Sequence, residues 1–171
     1  RAMVKRMRKE SLQGDMKFIS LLEKMGCTVS WERDGRQNLW LKGPDGKLKG
    51  MEVKMSDFSD QALTLAAIAP FADSEVTIKG IAHIRGQESD RIKVIVDELA
   101  KMGILCNELP DGVKIHPGTP KNTNIETYND HRVAMSFAVT GLAGDGMTIL
   151  NPMCCKKTFA GFFDEIDRLE E

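Results

Sequence analysis

A chain of 171 residues, 42% hydrophobic and 29% charged, is long enough to bury one substantial core and too apolar for a disordered segment. Its apolar runs fall well short of the roughly 18 residues that span a bilayer, and the formal net charge of −1 offers nucleic acid no broad attraction. Residues 1–9 lack the apolar stretch of a signal peptide, so the expectation is a cytoplasmic protein with no membrane or nucleic-acid partner.

In chain order, the first fourteen residues carry five cations against one acid without interleaved aromatics, and read as a solvated helix end. Apolar residues at helical spacing predict a helix over 14–25, closed by Gly26. Strands at 27–31 and 38–41 flank an Asp34-Gly35 turn, and Pro44-Asp45-Gly46 turns the chain into a strand at 48–53. A helix over 60–71, a strand at 76–81 and a helix over 88–102 follow. Ile92, Ile95, Val96, Leu99 and Met102 give the last of these a core-facing stripe, and Gly103 stops it. Strands at 104–107 and 113–115 flank a Pro110-Asp111-Gly112 turn, and the Pro- and Gly-rich stretch 116–123 is a loop. A helix over 130–142, a strand at 147–150 and a helix over 158–169 complete the chain. Cys27, Cys106, Cys154 and Cys155 form no Cys-x-x-Cys pair, the adjacent two make an awkward disulfide, and only three histidines are present. Reduced structural thiols and no metal site are expected.

Two segments recur. Leu22-Glu23-Lys24-Met25-Gly26, followed by Asp34-Gly35, returns 77 residues later as Leu99-Ala100-Lys101-Met102-Gly103, followed by Asp111-Gly112. Phe71-Ala72 with Val76-Thr77-Ile78 returns 71 residues later as Leu142-Ala143 with Met147-Thr148-Ile149. A period above about seventy residues is too long for the common solenoids, and each unit holds two helices and several strands. The expected fold class is α/β (α+β), with repeated βαβαββ units forming one lobe at 1–171. The units fall at roughly 1–49 (partial), 50–124 and 125–171.

Three predicted helices start with ionisable groups: Asp57 and Asp60, then Glu88 with Arg91, then Asp130-His131-Arg132. Lys156 and Lys157 precede the last helix. The repetition would bring these starts to one end of the lobe. There, free helix N–H groups and planar guanidiniums suit an anion, and carboxylates between them suit proton transfer. Each element also has a plain structural reading. An Asp at a helix start is a cap, a Lys pair is a solvated face, Asp130 with His131 is a satisfied pair, and residues 85–91 are a capped helix with surface ion pairs. On the residues alone both readings stand. Lys157-Thr158 lacks the glycines of a phosphate-binding P-loop, which argues against a nucleotide.

Arg85-Gly86-Gln87-Glu88-Ser89-Asp90-Arg91, Tyr128-Asn129-Asp130-His131-Arg132-Val133-Ala134-Met135 and Asn151-Pro152-Met153-Cys154-Cys155-Lys156-Lys157-Thr158-Phe159 carry a family resemblance. In order and spacing they resemble successive signature segments of the 3-phosphoshikimate 1-carboxyvinyltransferase (EPSP synthase) family of enolpyruvyl transferases. Leu12-Gln13-Gly14-Asp15 and residues 55–64 are similar to that family too, so the resemblance covers essentially the whole chain. It implies the C-terminal lobe of a two-lobed inside-out α/β barrel, with the N-terminal lobe absent from this stretch and little activity from one lobe alone.

The reaction it implies is transfer of the enolpyruvyl group of phosphoenolpyruvate to the 5-hydroxyl of shikimate 3-phosphate, releasing phosphate, a cofactor-free step of aromatic amino-acid biosynthesis. By matched position, Asp60 is the proton acceptor and Glu88 the proton donor. Arg91, Arg132 and Lys157 hold phosphoenolpyruvate, and Asp60, His83 and Gln87 touch shikimate 3-phosphate. Gln87 stands where many members have Lys and His83 where some have Asn, departures that bear on the shikimate contacts more than on the chemistry. UDP-N-acetylglucosamine enolpyruvyl transferases share the fold but do not characteristically combine Glu-Ser-Asp-Arg with Asp-His-Arg. A third reading is a non-catalytic module that keeps the fold.

Overall fold

The computed structural model describes residues 1–32 and 38–170, and the Asp34-Gly35 turn lies outside them. Helix α1 (Lys17–Lys24), entered through a 3-10 turn at Gly14–Met16, ends before Gly26, whose φ is +100°. Gly26 N–H donates to the Glu23 carbonyl and Cys27 N–H to that of Leu22, each at 3.0 Å. Helix α3 (Arg91–Lys101) closes the same way, with Gly103 at φ +77° and Ile104 N–H reaching back to Leu99. The paired bonds satisfy the last carbonyls of both helices, and the left-handed backbone they need is what selects glycine.

Helix starts follow the caps. Asp90 accepts from Lys93 N–H and Asp130 from Arg132 N–H, so α3 begins at Arg91 and helix α4 (His131–Ala143) at His131. The expected start of α3 at residue 88 is therefore corrected: Asp90 makes the cap, and Glu88 lies in the loop ahead of it. The last helix, α5 (Phe162–Glu170), also starts later than residue 158. Asn151, at φ +52°, turns the chain into a 3-10 helix at Pro152–Lys157, so Lys156 and Lys157 sit in that turn. The basic N-terminal stretch is not a helix end. It contains strand β1 (Ala2–Val4), with the Arg1 guanidinium 4.3 Å over the Trp40 ring.

Strands β1, β2 (Thr28–Trp31) and β3 (Leu39–Lys42) form an antiparallel sheet in the order β1-β3-β2. Strands β4 (Met51–Lys54), β5 (Val76–Lys79), β6 (Cys106–Leu109) and β7 (Gly112–Ile115) form a second sheet in the order β4-β5-β7-β6. Here β4 and β5 are parallel and the other pairs antiparallel, with Val76 opposite Ile115. Two short strands, β8 (Asn124–Ile125) and β9 (Thr148–Ile149), make a parallel pair. With helix α2 (Ala62–Ile68), the stretch from β4 to β7 runs β-α-β-α-β-β, a mixed α/β arrangement. The echoes of the sequence fall on matching halves. The run β1-α1-β2-β3 shares order and pairing with β5-α3-β6-β7, and β4-α2-β5 and β8-α4-β9 are each a parallel pair bridged by an apolar helix.

Helix α2 packs against both α3 and α4, and its Ala62, Leu63, Leu65, Ala66 and Ala67 are all buried. Small side chains let α4 approach closely enough for the Thr140 hydroxyl to donate to the Ala67 carbonyl at 2.8 Å. Ile78, Ile92, Ile95, Leu99 and Phe137 fill the rest of the core from the sheet and the flanking helices. Among the described residues no helix is long and apolar enough to cross a membrane. Close approach selects glycine where β5 and β7 pair: a Cβ on Gly112 would lie 1.8 Å from the Ile78 carbonyl. Gly112→Ala is expected to destabilise the chain by about 1–3 kcal/mol in denaturant unfolding. An unchanged midpoint would refute that contact as the reason for glycine.

Candidate functional site

The first turns of α3 and α4 and the 3-10 turn Ser59–Gln61 ahead of α2 meet at one end of this helical layer. The Arg91 side chain is 4% exposed and organises the meeting. Its Nε donates to Asp130 Oδ2 at 2.8 Å and its Nη2 to Asp130 Oδ1 at 3.4 Å, while Nη1 donates to Asp60 Oδ1 at 3.3 Å and to Gln87 Oε1. Arg132 donates to Asp60 Oδ2 at 2.9 Å and to the Asp60 carbonyl at 3.4 Å. Asp60 thus bridges two guanidiniums. Asp130, wholly buried, accepts from Arg91, from the Ser89 hydroxyl at 3.0 Å and from Arg132 N–H at 2.9 Å. Burial raises the Asp130 pKa, but the Arg91 hydrogen bond and charge, with the Arg132 N–H and Ser89 hydroxyl, outweigh it and hold the pKa below the ordinary aspartate value.

Glu88 joins a second, more open arm. Its Oε1 accepts from Lys157 Nζ at 2.8 Å and its Oε2 lies 3.1 Å from His131 Nδ1. His131 is itself close to Asp130, at 4.0 Å, and its carbonyl accepts the Cys155 thiol at 3.8 Å. Burial and the neighbouring Cys154 push the Cys155 thiol up to about 12, as befits a packed, unreactive group. Asp60, Gln87, Glu88, Arg91, Arg132 and Lys157 therefore fall in one connected cluster. His83 stands at its rim, with Nε2 2.8 Å from the hydroxyl of Ser59. Two candidates stay outside the hydrogen-bonded cluster: Asp57 pairs with Lys17 at 2.8 Å, and Lys156 lines a cleft of about 530 Å³ between α4 and α5. An open groove of about 470 Å³ leads from Asp60 and Gln87 past Ser59 to Gln13, Gly14 and Asp57.

The family model for EPSP synthase (3-phosphoshikimate 1-carboxyvinyltransferase) matches residues 1–166. The chain belongs to the EPSP synthase family. The 3-phosphoshikimate 1-carboxyvinyltransferase of Nostoc punctiforme is 45% identical over 171 residues, which are 100% of this chain and 39% of that protein. A second relative so named, from Halalkalibacterium halodurans, is 44% identical over 92% of this chain and 35% of its own length. The chain thus spans less than two fifths of the EPSP synthases it matches. A solved EPSP synthase from Acinetobacter baumannii superposes with a TM-score of 0.75 at 30% identity, over 88% of this chain and 38% of that one. The enolpyruvyl transferase NikO from Streptomyces tendae shares the fold, with a TM-score of 0.70 at 21% identity.

Glu88, Asp130 and His131 also offer three ligand atoms within 4.8 Å of one another. Arg91 already neutralises Asp130 and Lys157 already pairs with Glu88, so a dication here would have to displace two ion pairs. What the cluster can do follows from exposure. Asp60 and Glu88 keep 44% and 39% of their side chains exposed, on either side of the buried Arg91, while Arg132 and Lys157 are 27% and 50% exposed. Two reachable carboxylates and two reachable cations are the parts needed to hold an anion and move protons beside it. Asp130, a candidate from its place at the start of α4, and Ser89 carry no role by matched position, yet both join the cluster. The signal for them is Arg91 itself, which occupies the apolar stripe of α3 and needs a buried acid.

Proposed function

We propose that this chain carries the acid/base pair and the phosphoenolpyruvate clamp for enolpyruvyl transfer to the 5-hydroxyl of shikimate 3-phosphate. The observation that supports this reading is the convergence of Asp60 and Glu88 with Arg91, Arg132 and Lys157 at one end of the lobe. In the proposed cycle the three cations hold the carboxylate and phosphate of phosphoenolpyruvate. Glu88 gives a proton to the methylene carbon, and Asp60 takes the hydroxyl proton as the acceptor oxygen bonds to C2. The tetrahedral adduct then breaks its C–O bond to phosphate, which leaves with the proton held by Asp60, and a methyl proton returns to Glu88 as the double bond re-forms. Gln87 and His83, beside Asp60 and the groove, face the acceptor.

Residues 1–171 act as one lobe, with repeat units at 1–49, 50–124 and 125–171, in a cytoplasmic enzyme whose remaining length supplies the lobe that closes over the substrates. The test is a chimera in which this chain replaces the aligned stretch of the Nostoc punctiforme relative. Phosphate release that requires both substrates is the expected result. A folded chimera that binds shikimate 3-phosphate yet releases no phosphate would overturn the reading.

A further inference from the structure

Among the described residues, three of the four non-glycine residues with positive φ lie at the entrances to the cluster. Tyr128 and Asn129, at +52° and +56°, lead into Asp130 and α4, and Asn151, at +52°, leads into the turn that carries Lys157. Asn151 Nδ2 donates to Asn129 Oδ1 at 3.4 Å, so the two entrances touch. A left-handed tyrosine costs energy and persists only where its surroundings fix it. The Tyr128 N–H donates to Glu126 Oε1 at 3.3 Å, and its hydroxyl is held by Glu98. The Glu98 carboxylate is wholly buried and its two oxygens accept three bonds: from the Tyr128 hydroxyl at 3.0 Å, from Glu126 N–H at 3.2 Å and from Lys101 Nζ at 2.7 Å. Glu98 stands seven residues after Arg91, two turns along the same face of α3. One helix therefore grips the entrance to α4 twice, with Arg91 on Asp130 and Glu98 on Tyr128 and Glu126.

We propose that Glu98 is a positioning residue that clamps the left-handed Tyr128–Asn129 turn and so sets Asp130, His131 and Arg132 against Arg91, Glu88 and Asp60. Its kinetic consequence rests on the functional reading above, while its geometric consequence does not. Burial of the phenol, with the hydrogen bond and charge of Glu98 and the charges of Asp97 and Glu126, pushes Tyr128 up to about 12, and Lys101 is the cation facing the same carboxylate. Tyr128 is the only tyrosine in the chain, so tyrosinate absorbance reports on this contact alone.

Two variants carry the test: Glu98→Gln, and the milder Tyr128→Phe, which removes one hydroxyl and keeps the fold. In this chain, amide resonances of residues 129–132 and the Arg91 Nε–H resonance are expected to move in both variants, and tyrosinate formation in Glu98→Gln is expected at lower pH. Perturbations confined to residues 126–128 would overturn the clamp. In the chimera, Tyr128→Phe is expected to raise the phosphoenolpyruvate KM about tenfold, with the shikimate 3-phosphate KM held and thermal stability nearly unchanged. The double variant is expected to do no further harm than Glu98→Gln alone. Kinetic constants within about twofold of the parent would overturn the proposal, since a purely structural contact moves stability and not KM. A parent chimera without turnover would instead sink the functional reading, and the resonances would then decide the clamp.

Discussion

Asp130→Ala is expected to lower the unfolding free energy by about 3 kcal/mol, the largest stability effect of any single substitution in the cluster. The change strands the Arg91 guanidinium, 4% exposed, without its bidentate partner, and removes the cap on α4 as well. The figure falls at the low end of the range for broken buried pairs because Asp60 and Gln87 still accept from Nη1. Asp130→Asn keeps an acceptor for Ser89 and Arg132 N–H and should cost less. Replacing Arg91 and Asp130 together by apolar residues should cost less than the two single changes summed. The same pair sets an acid limit. The Asp130 pKa is depressed below its unfolded value of 3.8, so its contribution is complete at pH values above that and drains away as pH falls through the folded value. Denaturant titrations at neutral pH and in acid measure both effects. A loss under about 1 kcal/mol for Asp130→Ala would refute Arg91–Asp130 as the anchor of the site.

Much of this arrangement is written locally, and the part that is not is what makes the cluster work. The glycine stops at Gly26 and Gly103 and the stripe of α3 follow from short-range chemistry, and the structure has them where the spacing puts them. The start of α3 is not legible because two acids compete for one cap: Glu88 and Asp90 both stand before the helix, and it is Asp90 whose oxygen accepts from Lys93 N–H. Strand β8 spans two residues, too few for any alternation to show, and exists because β9 lies beside it. The pairs that assemble the cluster join positions far apart in sequence, Arg91 with Asp130 and Asp60 with Arg132. No window of sequence contains them. Glu98 is the instructive intermediate case. A carboxylate on the apolar stripe of α3 is visible in the sequence as a residue out of place, but its partners, Glu126 and Tyr128, come from the stretch between the 116–123 loop and α4, which the sequence assigns to no element.

Glu88→Gln in the chimera is expected to lower kcat by about 10²- to 10⁴-fold, the range for loss of a positioned general acid. The direction of the accompanying KM change separates two roles that the geometry allows. Glu88 accepts from Lys157 and faces His131, so it serves either as the group that moves the proton or as the counter-charge that parks Lys157. If it only parks Lys157, the amide variant frees that ammonium for the substrate, and the phosphoenolpyruvate KM falls while kcat holds. If it moves the proton, kcat collapses, and the exchange of solvent deuterium into the methylene group of phosphoenolpyruvate stops with it. That exchange needs only protonation of the methylene carbon and its reversal, so it reads the proton step apart from phosphate release. Persistent exchange in Glu88→Gln would move the acid role to another group, and His131, 3.1 Å from the Glu88 carboxylate, would be the first to test.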